Sequence, residues 1–172
     1  MRWPPSLIVF SGLPGVGKST IARQLSQQIG AVYLRIDSIE DALARSSLKI
    51  RPAEEAGYLS AEAVAEDNLS LGKTVVADCV NPIAVSRQLW TDLAKRAGVP
   101  ISNVEIQCTD VEEHRRRVES RRSTSGAVAQ PTWQDVQERE YEPWAGDCLR
   151  IDNVNKLPAE CVDRIIAYLP KK

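Results

Sequence analysis

Lys18 and Ser19 close the run Gly12, Leu13, Pro14, Gly15, Val16, Gly17, Lys18, Ser19, Thr20, whose spacing is G-x-x-x-x-G-K-[ST]. The chemistry is phosphate binding. Glycines let the backbone fold tightly, so that consecutive N–H groups point inward as an anion-binding nest at the positive end of the following helix. Lys18 then reaches the β- and γ-phosphates of a nucleoside triphosphate, and Ser19 offers its hydroxyl to Mg²⁺. Thr20 extends the cradle toward the α-phosphate through its backbone N–H.

Two carboxylates and a group of arginines complete the set of reactive side chains. Asp37 follows the apolar run 31–36, and Asp78 ends the run Val75, Val76, Ala77. At a strand end facing the γ-phosphate, Asp37 is placed to take the proton of an acceptor hydroxyl. Its competing role is that of a helix cap, in which Asp37 with Glu40, or Ser38 with Asp41, forms a capping box. Asp78 either holds Mg²⁺ through water or binds the acceptor. Arg117 and Arg121 are four apart and share a helical face, so Arg117 can stack on adenine while Arg121, with Arg122, reaches the transferring phosphoryl. His114 has no metal-ligand partner and reads as a surface residue.

These groups need a scaffold. Apolar runs near residues 6–11, 31–36, 73–78, 103–108 and 148–152 alternate with helical patterns, which predicts an α/β fold. Its parallel five-stranded sheet has right-handed crossovers and helices on both faces. Ligands of such sheets sit at the strand C-terminal edge, where the cradle, Asp37 and Asp78 meet. Asn81 and Pro82 are expected to cap the helix that runs to Gly98, with Leu89, Trp90, Leu93, Ala94 and Ala97 as its core stripe. Residues 41–71 form a helical layer, broken by a loop carrying Arg45, Lys49 and Arg51 and resumed at Pro52. A capped helix from Asp110 carries the arginines. The small, polar stretch 123–130 has the composition of a closing lid, spanning about 115–131 with the helix before it.

A length of 172 residues and a formal net charge of −1 fit one domain without global attraction to nucleic acid or membrane. Cys79, Cys108, Cys148 and Cys161 are dispersed and read as reduced thiols. With apolar runs far too short for a membrane span, the expected location is the cytoplasm and the expected state a monomer or weak homodimer. A GTPase is excluded by the lack of an N-K-x-D signature, since Leu157 and Pro158 follow Asn155 and Lys156. The molecular-machine ATPases carry Asp-Glu at the strand end, whereas Cys79 follows Asp78.

Together the cradle, Asp37, the Asp78 strand with Asn81 and Pro82, and Arg117, Arg121 and Arg122 resemble the small P-loop kinases. From Val75 to Pro131 the chain looks most like the kinase domain of phage-type polynucleotide kinases; adenylylsulfate kinase, gluconate kinase, chloramphenicol phosphotransferase and zeta toxins share the plan. The resemblance implies Lys18, Ser19, Asp37 and Arg121 or Arg122 as the catalytic set. It also implies Arg87 as an acceptor-phosphate ligand and residues 41–71 as the acceptor-binding insert. The expected activity is transfer of the ATP γ-phosphate, with Mg²⁺, to a hydroxyl of a small molecule. A polynucleotide 5′-hydroxyl is the alternative acceptor, not favoured because no aromatic and basic groove is evident. A nucleotide-binding regulator with little transfer is the alternative of another class.

Overall fold

Leu7–Ser11 (β1) is buried at every position, because it is the central strand of a sheet covered on both faces. The computed structural model describes residues 3–50, 52–53, 55–122 and 130–170. The expected lid stretch 123–129, the Arg122 side chain and Arg51 lie outside the described residues.

After β1 come α1 (Lys18–Ile29), β2 (Val32–Arg35), α2 (Ile36–Arg45), α3 (Ala56–Ser70), β3 (Val75–Asp78) and α4 (Ala84–Ala97). The chain continues with β4 (Ile101–Gln107), α5 (Val111–Arg122), α6 (Trp133–Glu138), β5 (Leu149–Asp152) and α7 (Pro158–Tyr168). All strand pairs are parallel, in the order β2-β3-β1-β4-β5. The five-stranded parallel α/β architecture expected from the alternation is therefore the fold.

Side chains alternate across β1 and feed two cores. Ile8 and Phe10 join α1 and α7 on one face, where Ile21, Leu25, Val162 and Ile165 are buried. Leu7 and Val9 join α3 and α4 on the other, around Trp90 and Leu93. Ala61, Ala65 and Leu69 recur every four residues along α3, so small side chains let that helix lie close on the sheet. Thus α3 is a core helix, and α2 with the loop after it borders the cleft described below.

Three helix starts differ from the sequence expectation. Neither Asp37 nor Ser38 caps α2: β2 runs straight into the helix, Arg35 occupies the cap position without a side-chain cap bond, and Ile36 is already buried. Nor do Asn81 and Pro82 start α4, which begins at Ala84 behind Ile83. Asn81 has φ 50°, its N–H donates to the Tyr58 hydroxyl at 2.9 Å, and its Nδ2 donates to Ser11 Oγ at 3.1 Å. It ties the ends of β3 and β1 together instead of capping. α3 starts at Ala56 instead of Pro52, after a turn in which the Ala56 N–H donates to the Ala53 carbonyl at 2.8 Å.

Arg87, expected to bind an acceptor phosphate, is held by the protein itself as a clamp. Its guanidinium donates to the carbonyls of Asn81, Pro82, Glu142 and Pro143 and stacks 4.3 Å from the Trp144 ring centroid. It fastens the loop after β3 to the segment after α6 and does not line the cleft. Arg87→Ala should destabilise the fold by about 2–3 kcal/mol, the scale for hydrogen bonds made by a charged group together with a cation–π contact. A denaturation midpoint equal to that of the wild type would contradict this role.

Candidate functional site

The cradle lies between β1 and α1, and α5 braces it from outside. Gly15 packs so tightly on Val118 that a Cβ there would collide, the His114 ring lies in van der Waals reach beside it, and the glycine's φ of 87° is one that residues with a side chain rarely adopt. His114 Nε2 lies 2.8 Å from the Pro14 carbonyl; since that oxygen can only accept, the proton sits on Nε2. The Val16 carbonyl accepts from Asn153 Nδ2, and Arg117 Nη1 donates to Asn153 Oδ1 at 2.9 Å. With these carbonyls held by α5 and the loop after β5, the cradle's backbone is fixed before any ligand arrives.

His114 is therefore not the surface residue its polar neighbourhood suggested. It is 6% exposed, and its ring meets Trp133 of α6 edge-on at 5.1 Å. Burial lowers its pKa, opposed by the hydrogen bond to Pro14 and aided by the charges of Arg117, Lys18 and Arg121. The unfolded imidazole, near its ordinary value of about 6.5, then takes a proton before the folded one. Stability should accordingly fall as pH drops below that value. His114→Gln, which keeps a donor for Pro14, should remove this dependence and hold nucleotide affinity better than His114→Ala. Parallel melting curves for wild type and His114→Gln across this range would contradict the assignment.

Above the cradle a cleft of about 910 Å³ opens at the C-terminal edge of the sheet. Lys18, Ser19, Asp37, Asp78 and Arg121 all line it. Lys18 is 8% exposed and its Nζ donates to the Leu13 carbonyl at 3.0 Å. Burial lowers its pKa, while the charges of Asp78 and then Asp37 work against that. Anionic phosphates in the cleft would add to the two carboxylates in holding it as an ammonium.

The sheet register aligns Arg35, Asp78 and Phe10, which sets the floor of the cleft. Asp78, 2% exposed, accepts from the Tyr33 hydroxyl at 2.7 Å and stands 3.9 Å from Arg35 Nε. Burial, followed by Asp78, pushes the Tyr33 phenol up, so it serves as a donor. Asp37, with 57% of its side chain exposed, sits in the first turn of α2, where a carboxylate is favourable, and accepts from Arg35 Nη2 at 2.9 Å. Arg35 bridges both carboxylates, and neither it nor Tyr33 was singled out from the sequence. Gly12, Leu13, Pro14, Gly15, Val16 and Gly17 form the loop between β1 and α1, and Thr20 lies in the first turn of α1. Arg117 lies beside the cradle, bound to Glu113 and Asn153, and does not line the cleft.

Comparison with known proteins agrees with this geometry. A family model described as the AAA domain matches residues 7–143, from β1 through α6. The chain belongs to the AAA domain family. The phosphate-cradle run, residues 12–20, lies inside the matched stretch. Over 104 residues this AAA-domain chain is 33% identical to the bifunctional polynucleotide phosphatase/kinase of Schizosaccharomyces pombe, a stretch that is 60% of this chain and 22% of that protein. The chain thus spans about a fifth of the length of the curated relative it matches.

Among solved structures, the APS kinase of Mycobacterium tuberculosis in complex with AMPPNP and APS superposes with a TM-score of 0.72 at 19% identity, covering 95% of this chain and 96% of that one. A gluconokinase from Sinorhizobium meliloti 1021 gives 0.66 at 20% identity, covering 97% and 92%. These likenesses show the fold. Within it, this AAA-domain chain ends β3 with Asp78, followed by Cys79. Among the described residues no group of three or more His, Cys, Asp or Glu could hold a metal, and no helix is long and apolar enough to cross a membrane.

Proposed function

We propose that this chain is an ATP- and Mg²⁺-dependent kinase that phosphorylates a hydroxyl of a small-molecule acceptor. The observation that carries the reading is the convergence of Lys18, Ser19, Asp37, Asp78 and Arg121 on one cleft at the sheet's C-terminal edge. The residues divide the work by chemistry, which in phosphoryl transfer is mostly positioning and charge neutralisation.

The backbone of the cradle holds the β-phosphate, and Lys18 spans the β- and γ-phosphates. Ser19 and, through water, Asp78 are the groups to hold Mg²⁺; without a carboxylate cluster, most of the ion's ligands would be phosphate oxygens and water, as suits that ion. Mg²⁺ neutralises charge on the β- and γ-phosphates when bound. Asp37 orients the acceptor hydroxyl and takes its proton as the acceptor oxygen bonds to the γ-phosphorus. The bond from that phosphorus to the bridging oxygen then breaks, and ADP leaves. Arg121, which lines the same cleft, offsets charge on the phosphoryl in flight. Arg122 shares that role by its place in α5, and Arg117 is the candidate for adenine.

The curated relative's name favours a second acceptor, a polynucleotide 5′-hydroxyl. γ-labelled ATP offered with sugars, nucleosides, adenylylsulfate and 5′-hydroxyl oligonucleotides tests the reading. Label on a small molecule supports it, and label on the oligonucleotide alone favours the second acceptor. Nucleotide binding with no labelled acceptor contradicts both and favours a regulator. Cytoplasmic location and a monomeric or weakly dimeric state belong to the same proposal.

A further inference from the structure

We propose that Glu40 selects the acceptor, accepting a hydrogen bond from a second hydroxyl of a polyhydroxylated small molecule whose reacting hydroxyl faces Asp37. The inference rests on the kinase reading above and narrows its substrate class.

Glu40 is one helical turn beyond Asp37, so the two carboxylates share a face of α2, and both line the cleft together with Asp41 and Ala44. Its placement is built into the packing of α2 on α3. A Cβ on Gly57 would lie 2.6 Å from Glu40 Cγ and 2.8 Å from Oε1, so α3 gives up a side chain at that point to seat the carboxylate. Alanine would favour the helix at that position, which makes the missing methyl a cost borne for the neighbour.

What Glu40 lacks is a donor. It makes no hydrogen bond or ion pair with any of the described residues. Burial and the charge of Asp37 raise its pKa, with Arg139 opposing, which is the signature of a carboxylate short of favourable partners. A half-buried carboxylate with no donor among the described residues leaves its hydrogen-bonding capacity to water in the open cleft, and a ligand hydroxyl takes the place of that water.

The same charge sorts the two acceptor classes. A polyol presents a second hydroxyl within a few bonds of the reacting one. The 5′ end of a polynucleotide presents its first phosphodiester there instead, which Asp37 and Glu40 repel from their face of α2 against the attraction of Arg35, Arg45 and Arg139 in the same lining.

The test measures transfer from γ-labelled ATP to D-ribose, D-glucose, sorbitol and a 5′-hydroxyl oligodeoxynucleotide, using wild type, Glu40→Gln and Gly57→Ala. Label should enter a polyol. The KM for that polyol should rise about 5- to 10-fold in Glu40→Gln, whose amide oxygen still accepts but without the charge that strengthens the bond, with the KM for ATP nearly unchanged. Gly57→Ala should raise the same KM because its methyl displaces Glu40 while leaving the carboxylate in the chain. An unchanged polyol KM in both variants overturns the role of Glu40 and spares the kinase reading; label on the oligonucleotide with none on any polyol overturns the role of Glu40 and moves that reading to its second acceptor. No label on any of the four probes overturns the role of Glu40, and no label on nucleosides and adenylylsulfate either, with ATP bound, overturns both.

Discussion

Lys18→Ala should lower phosphoryl transfer about 100- to 1,000-fold, the scale for removing one preorganised group that stabilises transferring charge. Nucleotide affinity should fall with it. The ammonium is buried at the mouth of the cradle, its Nζ donates to the Leu13 carbonyl, and its neighbours Asp78 and Asp37 carry carboxylates. A triphosphate entering that space exchanges one neutral acceptor for several charged ones, and such hydrogen bonds are roughly twice as strong. Alanine leaves the cradle's N–H groups in place but removes its one mobile positive charge. Nucleotide titration and initial rates check this, and wild-type affinity together with wild-type turnover would contradict it.

Asp37→Asn should separate binding from chemistry. Transfer should fall about 100- to 10,000-fold, the range for loss of a positioned general base, with ATP affinity nearly intact. The amide keeps the size and the hydrogen-bonding geometry but cannot take the acceptor's proton. Arg35, which donates to Asp37 and lies near Asp78, still has Asp78 as an anionic partner in the variant, so the floor of the cleft survives. Wild-type transfer by Asp37→Asn, with a normal melting curve, would reduce Asp37 to an exposed ion-pair partner.

What could be read from the chain and what could not divide along physical lines. The cradle from Gly12 to Thr20 was legible because its chemistry is local: glycines at fixed spacing after a buried strand and before a helix. The parallel sheet was legible because strands and helices alternate. The placing of β3 between β2 and β1 was not, since alternation constrains handedness but not order.

Helix starts at Asp37 and Asn81 misled for a common reason. Both residues have the chemistry of caps, but Asp37 lies inside a helix that begins directly from a strand, and Asn81 uses its side chain to reach Ser11. His114 misled because α5 is polar almost throughout. Its inward stripe of His114, Arg117 and Val118 packs on the cradle and Asn153 instead of an apolar core, and no hydropathy pattern reports that. Glu40 and Arg139 line one cleft from α2 and the end of α6, far apart in the chain. Only the fold could bring them together.

The central claim is that the cleft transfers phosphate to a hydroxyl and that Asp37 does the proton chemistry. A single-turnover experiment tests it most directly. Enzyme, Mg²⁺ and γ-labelled ATP are mixed in the presence and absence of a hydroxyl acceptor, and the label is partitioned between acceptor and inorganic phosphate for wild type and Asp37→Asn. The account predicts that label moves to the acceptor in the wild type, with little hydrolysis, and stays on ATP in Asp37→Asn although that variant binds ATP. Label released only as inorganic phosphate, at the same rate in both proteins and with or without acceptor, would contradict it.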